Sequence, residues 1–129
     1  MITEDYVSFE TAKLLKEKGF DENCFRSYVK DKLAVSQGFN NSYYATMYSD
    51  DSYRPISAPT LQMAMKWLRE VHNLYINIWA DPKDFENNNF DIIFRAQVYD
   101  GTSNYGTYEF STYEEASEAA IKYCLENLI

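Results

Sequence analysis

The stretch PTLQMAMKWLREVHNLYINIW, residues 59–79, decides the fold. Leu61, Ala64, Met65, Leu68 and Val71 fall on one side of a helical period, widened by Met63 and Trp67. Gln62, Lys66, Arg69 and Glu70 fall on the other side. That is the pattern of a helix lying on a core. Pro59 suits its first turn, where a missing N–H is not needed, and Asn73 suits its stop. From Leu74 the period drops to two: Leu74, Ile76 and Ile78 alternate with Tyr75, Asn77 and Trp79. A change of period within so few residues places the helix close to the sheet it feeds.

Downstream, Ala80 to Asn89 reads as loop chemistry throughout. Phe90 to Tyr99 is the strongest strand signal, with Ile92, Phe94, Ala96 and Val98 on one face and Ile93, Arg95, Gln97 and Tyr99 on the other. Asp100-Gly101 signals a hairpin. Tyr105 to Phe110 returns as the next strand, with Tyr108 and Phe110 facing inward. A final helix follows to about Asn127, with Ser111/Glu114 and Thr112/Glu115 as overlapping capping-box candidates. Tyr113, Ala116, Ala119, Ala120, Tyr123 and Cys124 share its buried side, and Glu118 with Lys122 makes a favourable surface pair.

Upstream, Ser8 caps a helix to about Lys18. Gly19 then stops it, and Phe20 folds back on Leu15. Residues 21–56 admit two readings. Either Cys24–Tyr28 and Lys32–Gln37 are paired strands, or one helix runs from Glu22 to Val35. Gly38 to Ser42 is a turn or loop, and Tyr43 to Tyr48 has aromatic strand propensity. Pro55 and Pro59 frame an extended lead-in to the central helix. The expectation is one α+β domain over residues 1–129, an antiparallel meander of three or more strands with amphipathic helices packed on one face. Its outer face would carry Tyr75, Asn77, Trp79, Arg95, Gln97, Tyr99, Thr107 and Glu109.

Composition narrows the function classes. Twelve Lys and Arg against twenty Asp and Glu give a net charge of −8. That argues against direct nucleic-acid binding, which needs clustered cations, and against anionic membrane surfaces. No stretch approaches the roughly 18 apolar residues of a membrane span, and the N-terminus is acidic where a signal peptide is basic. A cytoplasmic location is the expectation. Cys24 and Cys124 read as a reduced, buried pair, with one long-range disulfide as the alternative. Twelve Tyr, eight Phe and two Trp exceed what one such core can bury, so some line a groove, an interface or a wet sheet face.

Three stretches carry a resemblance: YVSFETAKLLKEKGF at 6–20, APTLQMAMKWLREVH at 58–72, and STYEEA at 111–116 with AAIKYCLENLI at 119–129. Together they look like a family of small uncharacterised proteins from gut Bacteroidetes, their phages and mobile elements. The spacing departs most at 21–57 and 80–104. The family has no accepted activity, so the resemblance implies a cytoplasmic accessory protein and transfers no catalytic residue.

Few residues suggest chemistry. His72, the single histidine, is either a general base or ligand, or a packed side chain with one hydrogen bond at the helix end. No GxGxxG, phosphate loop or HExxH occurs. Neither a cofactor nor a metal is implied. Asp81, Asp84, Glu86, Asn87, Asn88, Asn89 and Asp91 form an oxygen-rich cluster without EF-hand spacing, which a solvated hairpin loop also explains. Glu114, Glu115 and Glu118 lie on a helix surface rather than as two acids across a cleft. Residues 81–129 hold ten acids and three bases, net −7, while residues 1–80 are at −1. Such a half can steer a basic partner.

Tyr, Trp and Arg dominate interface hot spots, which points to Tyr75, Trp79, Arg95 and Tyr99 as a partner-binding face, provided residues 21–57 do not cover it. The first reading is a non-catalytic protein-interaction module for an unknown protein partner or for self-association. The alternative is an acidic inhibitor that mimics nucleic acid and blocks a basic host enzyme. An enzyme is the third.

Overall fold

The computed structural model describes residues 1–106 and 108–129. The chain is α+β, with four α-helices and two three-stranded antiparallel sheets among the described residues. It divides into two compact units, Met1–Ala64 and Met65–Ile129.

In the first unit, α1 (Phe9–Glu17) begins where Ser8 accepts the Thr11 N–H at 3.2 Å. It ends as its sequence dictates. Gly19, at φ 93°, donates to the Lys16 carbonyl and Phe20 to the Leu15 carbonyl, at 3.1 and 2.9 Å. This Schellman closure buries Phe20 and Leu15. Next, β1 (Cys24–Val29) and β2 (Lys32–Phe39) form an antiparallel hairpin, turned by Lys30 at φ 59°. The strand reading of this region therefore holds and the single helix does not. A bulge at Gln37 and Gly38, with φ 42° and 82°, carries β2 into the expected turn, as far as Phe39. Strand β3 (Ile56–Ser57) pairs with the other side of β1, in the order β2-β1-β3. Helix α1 lies against β3.

Tyr43–Tyr48, expected as a strand, falls largely within α2 (Asn41–Met47). Capping overrides aromatic propensity here. Asn40 Oδ1 accepts the Tyr43 N–H at 2.8 Å. Asn41 is buried, its Nδ2 donating to the Phe20 carbonyl and its Oδ1 accepting from the Ser57 N–H, both at 2.9 Å. Asp51–Tyr53 is a 3-10 turn. Helix α3 (Leu61–His72) is capped by Thr60, whose Oγ1 accepts the Met63 N–H at 3.1 Å. Pro59 therefore precedes the cap instead of lying in the first turn.

Along α3, Leu61, Ala64, Met65, Trp67 and Leu68 are buried as expected. Val71 in the last turn is exposed, contrary to expectation; the chain is already turning there, with Asn73 at φ 55°. The second unit continues with β4 (Tyr75–Asp84), β5 (Asn89–Tyr99) and β6 (Asn104–Tyr105), a meander in that order. Strand β4 runs five residues further than its sequence suggests. It is an edge strand, where Pro82 costs no ladder bond. Among the described residues the third strand covers Asn104–Tyr105, shorter than expected; Gly106 at φ 81° bends the chain, and the next pair described is the Phe94–Phe110 bridge. Thr107, expected on the outer face, lies outside the described residues.

Helix α4 (Tyr113–Asn127) packs against β4 and β5. Thr112 is the cap that forms, accepting the Glu115 N–H at 3.0 Å. Ala116, Ser117, Ala120, Ile121, Cys124 and Leu125 are its buried residues, so the buried stripe is rotated from the expected one, toward Ser117 and Ile121 and away from Tyr113 and Tyr123. Lys122 lies 3.9 Å from Glu126. Ala96 and Val98, paired with Ile78 and Ile76, are buried on the face toward α4, while Ala80, paired with Phe94, is exposed. Phe94 meets Tyr113, the first residue of α4, edge to face. Ile92 lies beyond that end and is exposed, which reverses its expected burial, while Ile93 on the opposite face is buried.

Candidate interaction face

The register of β4 on β5 brings the four singled-out residues onto one face. Tyr75 pairs with Tyr99 and Trp79 with Arg95, with Asn77–Gln97 between the two rungs and Asp81–Ile93 beyond them. The rungs that frame Asn77–Gln97 are four residues apart along the strand, or roughly 13 Å. Tyr75 and Tyr99 are each 43% exposed, their ring centroids 6.4 Å apart at a 40° tilt. Trp79 is half-buried.

Two of the four side chains are anchored from within. The Tyr99 hydroxyl donates to the Gly101 carbonyl at 2.8 Å. Arg95 Nε donates to Asp81 Oδ2 at 3.1 Å and Nη2 to Glu109 Oε1 at 3.4 Å. The Arg95 side chain retains 23% exposure, against 42% and 51% for its two acids. The guanidinium is thus held by two carboxylates, which offset its charge. Sequence reasoning missed Asp81 as a partner because it ended the strand at Trp79. The step of two from Trp79 to Asp81 was the available signal.

The remaining candidates resolve into structural roles. Asp84 carries the oxygen-rich hairpin: its carboxylate accepts from the Asn87 backbone N–H and from Asn87 Nδ2, at 3.2 and 2.7 Å. The Asn87 side-chain amide is the chief cause of a lowered Asp84 pKa. In the Asp100 loop, the Ser103 and Thr102 N–H groups hold the Asp100 carboxyl well below its usual range. His72 packs edge-on against Trp67 at 4.7 Å, and its Nε2 is buried with no hydrogen-bond partner among the described residues. Cys24 and Cys124 are free and buried, and burial pushes each thiol up to about 12. Among the described residues no three His, Cys, Asp or Glu side chains gather as a metal site requires. No described helix is long and apolar enough to cross a membrane.

Beneath α4 lies a cavity of about 100 Å³, with Ala96, Val98 and Phe110 among its sheet-side walls and Ala120 and Tyr123 among those of the helix. Tyr108, expected to face inward, lines this cavity yet stays largely exposed. Small-molecule sites start at roughly 300 Å³, so this space is a packing gap. Compared with known proteins, the chain matches no family model, no curated protein and no solved structure.

Proposed function

We propose that the chain is a non-catalytic protein-interaction module, and that the outer face of β4 and β5 is its partner-binding surface. One observation carries this reading: Tyr75, Trp79, Arg95 and Tyr99 form two cross-strand rungs on one face, with both tyrosines open to solvent. Rigid aromatic area beside an arginine is what interface hot spots are made of. A cytoplasmic accessory role is what the resemblance to proteins of mobile elements implies.

The test is capture of partners by the tagged protein, compared with Trp79→Ala/Tyr99→Ala. The double variant should lose specific partners while keeping the native circular dichroism spectrum. Undiminished capture by a folded double variant refutes the reading. The alternative, an acidic mimic of nucleic acid, draws on the −7 of residues 81–129. It requires association that weakens steeply with salt and survives Trp79→Ala/Tyr99→Ala.

A further inference from the structure

Strand β2 is one of the two outer strands of its sheet. From Lys32 to Val35 it keeps a regular register on β1, and from Ser36 to Gly38 three residues stand against Phe25 in a bulge. Natural edges are blunted by charges, prolines or bulges along the strand. The regular part of β2, Lys32–Val35, has a single charge at its end and neither proline nor bulge. Apolar side chains surround it. On one face Leu33 is 42% and Val35 70% exposed; on the face of Ala34, Phe25 is 78% and Val29 37% exposed. Leu33 and Val35, on the edge strand itself, are the two that a strand added beside β2 would cover, while Phe25 and Val29 lie on the inner strand and on the other face.

We propose that Lys32–Ser36 pairs antiparallel with the same segment of a second copy, about a two-fold axis through Ala34. The result is a continuous six-stranded sheet in the order β3-β1-β2-β2-β1-β3. This register is selected by what it opposes. Leu33 of each copy faces Val35 of the other, apolar on apolar. Lys32 faces Ser36, so no like charges meet. Centring one residue later, on Val35, would set Leu33 against Gln37 inside the bulge. With so short a paired segment the dimer is weak and concentration-dependent.

Sedimentation equilibrium across roughly 1 µM to 1 mM should show wild-type protein passing from monomer to dimer. Leu33→Lys/Val35→Lys should remain monomeric throughout. Ala34→Cys gives an independent readout, since directly opposed residues of an antiparallel pair stand roughly 4.5–5.5 Å apart at Cα, within disulfide reach. Under mild oxidation Ala34→Cys should form covalent dimers, while the exposed control Glu70→Cys should not; the native thiols are buried and silent. A wild type monomeric at every concentration overturns the proposal. So does a dimer that survives the double lysine variant, or Ala34→Cys cross-linking no faster than Glu70→Cys. Should the lysine variant misfold, the cysteine pair still decides.

Discussion

Asn41→Leu isolates the side chain that joins three elements of the first unit. Asn41 donates to the Phe20 carbonyl behind α1 and accepts from the Ser57 N–H of β3, both at 2.9 Å, while capping geometry holds it in the first turn of α2. Phe20 and Ser57 are themselves buried. Leucine has nearly the same shape and neither polar group, so it strands one carbonyl and one N–H away from water. Each stranded group costs about 1–3 kcal/mol, and the added apolar burial returns about 1 kcal/mol. The net loss should be about 1–5 kcal/mol. With a urea slope of about 2 kcal/mol/M, the unfolding midpoint should fall by roughly 0.5–2.5 M. A shift below roughly 0.3 M would refute the accounting.

Asn41→Asp adds a sign test. A carboxylate there faces the Phe20 carbonyl, whereas the protonated acid can donate to it. The folded-state pKa is then raised above the unfolded value of about 4. The stabilising contribution is therefore fully present below that value and is lost as pH rises through the folded pKa. Stability relative to wild type should improve on acidification; the opposite slope would sink the assignment.

Three further outcomes follow from the structure. Cys24 and Cys124 should resist a thiol reagent at pH 8 in the native state and react together on unfolding. Because burial raises their pKa to about 12, the stability they contribute is complete below the unfolded thiol pKa of about 8.5 and declines as pH rises toward the folded value. Thr112→Ala should cost about 1 kcal/mol in urea unfolding by removing the α4 cap; no measurable change would remove Thr112 from that role. Arg95→Ala should cost less than about 1 kcal/mol, because its ion pairs are screened by solvent, yet it should lose partner capture. A large stability loss would make Arg95 structural instead.

Sequence legibility tracked how local the deciding interaction is. The stop of α1 could be read from Gly19-Phe20 because a Schellman closure is completed within six residues. The two rungs of the candidate face were readable because a strand alternates with period two. Helix α2 was hidden. Its Tyr43–Tyr48 segment carries strand propensity, and Asn41 is buried through groups 21 and 16 residues away. The far half of β4 was hidden for a related reason. Asp81-Pro82 reads as a breaker until the strand is known to lie at a sheet edge, where the absent proline N–H has no ladder partner to miss. The reversal at Ile92 and Ile93 depends on where α4 begins over the sheet, a tertiary fact that no alternation encodes.

The internal anchoring of Arg95 separates the two functional readings. A free arginine loses about 2 kcal/mol of rotamer freedom when a partner fixes it. Here folding has already met part of that cost, through Asp81 and Glu109. Tyr99 is fixed in the same way by Gly101. A face prepared like this gains affinity through shape and ring area more than through net charge, because its one cation is flanked by two acids. Binding through it should change little between low and physiological salt. Association driven by the acids of residues 81–129 should instead weaken steeply, as screening shortens the reach of exposed charges to about 8 Å. One salt titration of a captured complex, repeated with Arg95→Ala, therefore discriminates between them. Salt-resistant binding lost with Arg95 belongs to the ringed face, and salt-sensitive binding indifferent to Arg95 belongs to the acidic surface.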